Sequence, residues 1–450
     1  MTEVQTADRQ ASTAGDLVGE LTAWLESNWD PDLQVGEWWD RLGLGGWAAP
    51  SLPENAYGRG LSRGDAVVVQ QTIARFGALP APGGLGLLLA APTIAAHGTQ
   101  EQIDLYVREI VTGKKAWCQL FSEPSAGSDL AGLQARGVKD GSDWIVNGQK
   151  VWTSSGQWAD YGMLLVRTNV DVPKHRGISY FALEMHQPGV EVRPLREMTG
   201  RALFNEVFLT DAQVPDAALI GGPGNGWAVA NTTLANERAG LGAGGGDAAA
   251  SVAMPGTVAR HLDLRAGDFV KGSGTQSLGP SGKKSGESGG LFGVSSARLA
   301  AIARANGKFD DPTIRQEISR LYTLEQIGLF NILRHKAVRL AGGDIPGLPN
   351  MAKLSMSQMV RVSRDLGLRI LGPYGMLHGY TADDRDRLAE VTGEPSYSMV
   401  TEGALFAQAP SIYGGTDQIQ RNIIGERVLG LPREPGNDRE VPFSDLPKNR

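Results

Sequence analysis

Three short stretches of this 450-residue chain carry residue types that can meet a planar or anionic ligand. The first is Phe121-Ser122-Glu123-Pro124-Ser125-Ala126-Gly127-Ser128-Asp129, a run of small residues that lets backbone N–H groups and hydroxyls come close to a ligand. The second, Asn147-Gly148-Gln149-Lys150-Val151-Trp152-Thr153-Ser154, puts an indole and two hydroxyls at a strand end, a pairing that suits a flat heteroaromatic ring with polar edges. The third is Ser411-Ile412-Tyr413-Gly414-Gly415-Thr416-Asp417-Gln418, where two glycines precede a helix start and leave backbone donors free. Each has a plainer reading: a tight surface turn, a core indole, and an N-cap by Thr416 or Asp417.

The elements that must position these stretches follow from periodicity. Residues 17–118 read mostly as helix, with Asp16 as a candidate N-cap and Thr99 with Gln102 as a capping box. Short alternating runs from Leu133 to Leu209, punctuated by Asp140-Gly141 and Asn147-Gly148 as hairpin signals, read as a compact β module. Helical spacing returns over Trp227–Arg238, Ser296–Ala305, Pro312–Ala341, Asn350–Leu371 and Gln418–Leu429. The domain reading is 1–118 as an N-terminal helical domain and 119–223 as a central β domain. Residues 224–433 read as a C-terminal helical bundle with a Gly-rich insertion at about 240–295, and 434–450 as a flexible tail. Within the insertion, Lys271–Gly293 has too little apolar surface to order itself and is expected to be mobile.

Composition narrows the function classes. Forty-three Lys+Arg against 49 Asp+Glu give a net charge of −6, which argues against nucleic acid or an anionic membrane as partner. One cysteine, Cys118, excludes an intrachain disulfide, and the six scattered histidines form no ligand pair, so no metal is expected. No leader is legible in residues 1–16 and no run nears eighteen apolar residues, so a cytoplasmic protein is expected.

In order and spacing, four stretches together resemble the acyl-CoA dehydrogenase flavoproteins. Ser122–Asp129 is similar to T-E-P-G-A-G-S-D, and Asn147–Ser155 to N-G-x-K-x-W-I-T-N. Asn205–Leu209 with Val214-Pro215 is similar to F-x-x-V-x-V-P, and Tyr413–Gly430 to the C-terminal Y-E-G-T-x-x-I-Q-R segment. The resemblance runs from about Trp47 to about Pro432. It implies a mainly α fold with a central β domain: an N-terminal helical domain, a β-barrel-like middle domain and a C-terminal four-helix bundle. It also implies FAD as cofactor, α,β-dehydrogenation of an acyl-CoA thioester, and an electron-transfer flavoprotein as acceptor. A homodimer or homotetramer is expected, with a hetero-oligomer as alternative.

The site residues follow by position. The family's usual base follows Tyr in Y-E-G-T, where this chain has Gly414. Long-chain and isovaleryl members carry the base in a Glu-Arg pair on a helix, and Leu234-Ala235-Asn236-Glu237-Arg238 matches that pair. The resemblance therefore makes Glu237 the candidate base, Arg238 a substrate-proximal residue, and the Gly414 N–H a donor to the thioester carbonyl. Gln119, Ser122 and Ser128 fall on the first flavin loop, with Ser128 also toward CoA. Trp152 and Ser154 fall along the flavin ring, and Thr416 and Gln418 in the segment after the glycines. The family's Arg-x-x-Phe-Gly run has no good match here, and Gln316 stands as the equivalent of a later FAD contact. The rival readings are an oxidase or monooxygenase on the same fold, or a non-catalytic subunit of a hetero-oligomer.

Overall fold

The computed structural model describes residues 3–242, 254–270, 294–340 and 343–447, apart from 434 and 437. The N-terminal part is helical: α1 (Glu3–Asn28), α2 (Val35–Leu44), α3 (Arg63–Phe76) and α4 (Ala91–His97). Helix α1 starts well before Asp16, so that residue does not cap it. The predicted capping box is present, with Thr99 accepting from Gln102 N at 3.3 Å and Gln102 Oε1 accepting from Thr99 N at 3.0 Å. Trp38, Trp39, Leu42 and Trp47 are fully buried among these helices. No helix among the described residues is long and apolar enough to cross a membrane.

An eight-stranded sheet follows: β1 (Trp117–Leu120), β2 (Arg136–Asp140), β3 (Asp143–Ser154), β4 (Tyr161–Arg167), β5 (Ile178–Glu184), β6 (Val190–Leu195), β7 (Phe204–Pro215) and β8 (Leu219–Ile220). Its order is β6-β7-β3-β2-β4-β5-β8, with β1 added in parallel along β4. Asp140-Gly141 is the expected hairpin, joining β2 to β3 with Gly141 at φ +59°. Asn147-Gly148 is not a turn. It lies inside β3, where the pairing to β7 slips between Val146 and Gly148. The Asn147 side chain bonds across that slip to Asp211. Gly148 is required there because a Cβ would come within 2.4 Å of the Ala135 Cβ.

The C-terminal helices are α5 (Gly226–Gly242), α6 (Ser296–Ala305), α7 (Pro312–Leu340), α8 (Leu348–Leu371), α9 (Ala382–Thr392), α10 (Tyr397–Phe406) and α11 (Asp417–Ile423). The sequence reading missed α9, whose Ala-Asp-Asp-Arg-Asp-Arg start carries almost no apolar stripe, and α10. The apolar residues gather in two cores. One joins the N-terminal helices, the sheet and α5; the other joins α6, α7, α8 and α10.

Two readings of loose chain are corrected in part. Lys271–Gly293 lies outside the described residues, but 254–270 of the same insertion packs on the N-terminal helices. Backbone bonds tie it there: Val35 N to Leu264 O at 2.9 Å, Gly36 N to Leu262 O at 2.8 Å, and Gly256 N to Gly113 O at 2.8 Å. His261 is buried edge-on to Trp39. The tail is not loose over 438–446, because Phe443 is buried and its N–H, with that of Ser444, donates to Val172 O and Val170 O at 2.9 Å each. A polar composition concealed a single aromatic anchor.

Candidate active site

Helix α5 carries the candidate base, and two glycines let the chain enter it. Gly224 sits at φ +72° and donates from its N–H to Ser179 Oγ at 3.1 Å. Gly226 lies flat on β5, where a Cβ would stand 2.6 Å from the Ser179 carbonyl carbon. Val229 and Ala230 are then buried, and two hydroxyl contacts lock α5 onto α4. These are Thr233 with Thr93 at 2.9 Å and Thr232 with His97 Nε2 at 2.8 Å. Burial pushes the His97 imidazole below its ordinary pKa, which keeps it neutral in that contact. With the helix so fixed, Glu237 is half-buried and its Oε2 accepts from Gln119 Nε2, on β1, at 3.4 Å. The Arg238 side chain lies outside the described residues.

The small-residue loop leaves the end of β1. Glu123 and Ala126 exchange backbone bonds of 3.0 and 3.1 Å, closing a turn over Pro124-Ser125. The loop is pinned from beneath by a buried pair whose role has no trace in the sequence: Lys150 Nζ donates to Glu123 Oε1 at 2.8 Å. The same ammonium donates to Phe121 O at 3.2 Å, and the carboxylate accepts from Gln134 N at 2.7 Å and Ala135 N at 3.0 Å. Ser122 is half-buried and its carbonyl accepts from Val151 N at 2.9 Å, which joins the loop to the Trp152 strand; Ser128 is exposed. Burial pushes the Cys118 thiol up to about 12, so it is no nucleophile.

At the end of β3 the pairing with β7 slips again between Lys150 and Thr153, and the bulge throws Trp152 outward. Its φ of +62° is a rare conformation for so large a side chain, of the kind that costs about 1–3 kcal/mol. The indole is 57% exposed and touches Phe204 by its edge. Ser154 is half-buried two residues on. Thr153 Oγ1 is buried with no hydrogen-bond partner. A strained, uncovered indole beside half-buried hydroxyls and a pinned small-residue loop fits a flat ring with polar edges.

Gly414 and Gly415 take φ of +61° and +80°, which side-chain-bearing residues rarely adopt. Thr416 caps α11, its hydroxyl accepting from Ile419 N at 3.1 Å, so the plainer reading of this residue holds. Gln420, which the sequence reading passed over, donates to Gly414 O at 2.8 Å and fixes that peptide. Asp417 is buried against Arg361 at 3.0 Å and Lys353 at 3.3 Å, both on α8. The described bonds of this segment run to α8 rather than to Glu237 or Trp152. Gln418 and Gln316 are both exposed. Glu402, on α10, is ion-paired with Arg201 from the β domain. A buried Asp or Gln after a Gly-Gly pair is invisible to a motif reading, since its partners lie some sixty residues away on α8.

Domain models of one family match the chain in three consecutive blocks: the N-terminal domain over residues 11–114, the middle domain over 118–212 and the C-terminal domain over 294–429. The chain belongs to the acyl-CoA dehydrogenase family. It is 33% identical over 400 residues to acyl-CoA dehydrogenase IpdE1 of Mycobacterium tuberculosis, with 88% of each chain covered. It is 35% identical over 388 residues to acyl-CoA dehydrogenase FadE34 of the same organism, covering 86% of this chain and 44% of that one. Among solved structures it resembles the ChsE4-ChsE5 complex of M. tuberculosis, at 25% identity and TM-score 0.59, covering 94% of this chain and 98% of that one. The protein is an acyl-CoA dehydrogenase, an oxidoreductase of a family that uses FAD, and the Trp152 bulge with the Ser122 loop fits that group.

Proposed function

We propose that this dehydrogenase removes the α-proton of an acyl-CoA thioester with Glu237 and yields the trans-2-enoyl-CoA. Ser122, Ser128, Trp152 and Ser154 would hold FAD, which when bound would supply the chemistry of accepting the β-hydrogen as hydride. The observation that carries the reading is the Gln119–Glu237 hydrogen bond, which ties a carboxylate on α5 to the strand feeding the small-residue loop. Glycine at 414 leaves no carboxylate at the family's commoner base position. Glu237 is half-buried, which keeps part of the solvent off its carboxylate. Gly414 is assigned the donor role: its N–H would meet the charge that develops on the thioester carbonyl, while the carbonyl of the same residue is held by Gln420. Anaerobic mixing with a panel of acyl-CoAs should bleach the flavin, and Glu237→Gln should slow that bleaching by about 10²–10⁴-fold with FAD content unchanged. Wild-type bleaching rates in Glu237→Gln would remove Glu237 from the role.

We also propose that the dehydrogenase works as an oligomer and passes its electrons to an electron-transfer flavoprotein rather than to oxygen. Support for assembly comes from α7, where Tyr322, Leu329, Phe330 and Leu333 are all exposed at spacings that put them on one face. The likeness to a two-component complex makes a hetero-oligomer the alternative to a homodimer. Sedimentation of the yellow protein alone distinguishes them, and stoichiometric peroxide release would point to an oxidase instead.

A further inference from the structure

The docked tail lies on the connection between β4 and β5. Besides the backbone bonds of Phe443 and Ser444 to Val172 and Val170, Pro442 pairs with Pro173 as an isolated bridge. Two cations stand between the tail and the far end of the small-residue loop. The first is Arg167, the last residue of β4, which is 2% exposed. Its Cζ lies 3.7 Å from the centre of the Phe443 ring. Its guanidinium donates to backbone carbonyls: Ala131 O at 2.6 Å, Leu133 O at 3.3 Å, and Lys174 O. Burial pushes the guanidinium down to about 10, against the pull of Glu123 and Asp129, so it stays charged at neutral pH.

Lys174 makes the second link. Its ammonium donates to Asp438 of the tail at 2.6 Å and to Asp129, the last residue of the loop, at 2.9 Å. Burial alone would lower its pKa, yet the two carboxylates hold it above its ordinary value. The loop is thus tied at both ends. The Lys150–Glu123 pair holds its start from within the β domain, and the tail supplies part of what holds its finish. The match to the family's C-terminal domain ends at residue 429, so these tail residues lie beyond it.

We propose that the tail is a strap that positions the flavin loop, acting through Arg167 and Lys174 as positioning residues, so that tail docking and FAD binding favour each other. The inference rests on the reading above that the Ser122–Asp129 loop holds FAD. An aromatic ring over a buried guanidinium attracts the cation and keeps water from competing for the carbonyls it bonds. Loss of the Phe443 ring would let water reach Arg167 and loosen Ala131 and Leu133, just past the loop. Loss of the Asp438 charge would leave Lys174 with one of its two carboxylates and free it to turn away from Asp129. Ser128, next to Asp129 in the chain, is the FAD-assigned residue that such loosening reaches first.

Two measurements test it. FAD titrated into the full-length apoprotein, followed by flavin fluorescence, compares wild type with Phe443→Ala, Asp438→Asn and the double variant. The double variant should bind FAD about tenfold more weakly, within the ~5–150-fold range usual for coupled sites. Because coupling is reciprocal, FAD should slow hydrogen exchange at the Phe443 and Ser444 amides of the wild type by a similar factor. Unchanged FAD affinity in the double variant overturns the proposal. So does weaker binding in the variants with no effect of FAD on tail exchange in the wild type, since the tail would then serve the fold alone. Exchange at the Glu123 and Ala126 amides of the loop separates this inference from the reading beneath it. Slowing in the loop but not in the tail overturns the strap and leaves the loop as an FAD site; slowing in neither overturns both.

Discussion

Replacing Lys150 by Met tests what holds the small-residue loop in place. Lys150 is fully buried and Glu123 nearly so, and removing one member of such a pair costs about 3–5 kcal/mol because the other charge is stranded. Here the Glu123 carboxylate would keep its bonds from Gln134 N and Ala135 N, each worth about 1.5–3 kcal/mol as a charge-assisted contact, so the expected cost is near 3 kcal/mol. Urea unfolding followed by tryptophan fluorescence should show that loss, and the flavin should dissociate more readily. The double variant Lys150→Met with Glu123→Gln should recover much of it, because no charge is left buried. Glu123→Gln alone adds a pH signature. Burial already holds the Lys150 ammonium below its ordinary 10.5, against the pull of Glu123, and removing that pull lowers it further. Between that lowered value and 10.5 the unfolded lysine binds more protons than the folded one, so stability rises with pH through this window. Wild type gains in the same way above its own, less lowered value, so the deficit of Glu123→Gln against wild type should shrink as pH rises between the two lowered values and stay level above them. A double variant no more stable than Lys150→Met, together with a deficit that does not change with pH, would refute the reasoning.

Other substitutions probe the remaining parts. Gly226→Ala would press a methyl into the β5 backbone, so a loss of about 1–3 kcal/mol by thermal melting is expected, with slower flavin reduction as α5 shifts. Unaltered reduction would show that this seat does not position Glu237. Glu402→Gln should change stability by less than about 1 kcal/mol, since its partner Arg201 is half exposed, and should leave flavin reduction at the wild-type rate. A hundredfold fall would move the base to Glu402. Trp152→Gly should relieve backbone strain yet lower the FAD content of the purified protein, and full retention of flavin would show that the indole does not cover the ring.

Much of this was legible in the sequence, for identifiable reasons. A glycine forced by a close backbone approach leaves a linear trace, so Gly224-Asn225-Gly226-Trp227 stood out. Helix α8 is amphipathic and its extent was read almost to the residue. Illegible were the features that depend on partners far along the chain. The Asn147-Gly148 pair looks like a turn until β7 is seen to slip against it. The positive φ of Trp152 has no local signature at all, since it is imposed by that same ladder. The docked tail escaped notice because Phe443 is the one aromatic residue of 434–450, and its seat on Arg167 joins residues 276 positions apart.

The two apolar cores divide between them the residues proposed for catalysis. Glu237 rides on α5, which belongs to the core of the N-terminal helices and sheet, while Gly414 hangs from α8, which belongs to the other. Two cores of this kind can melt as separate cooperative units, each with its own local stability. Warming should then silence the enzyme at the temperature where the weaker unit loosens, since proton abstraction and carbonyl polarisation need both halves in register. Far-ultraviolet circular dichroism, which follows helix content throughout, would still read mostly folded at that point. A mutation deep in either core can thus act as a remote control of turnover without touching a residue that meets substrate.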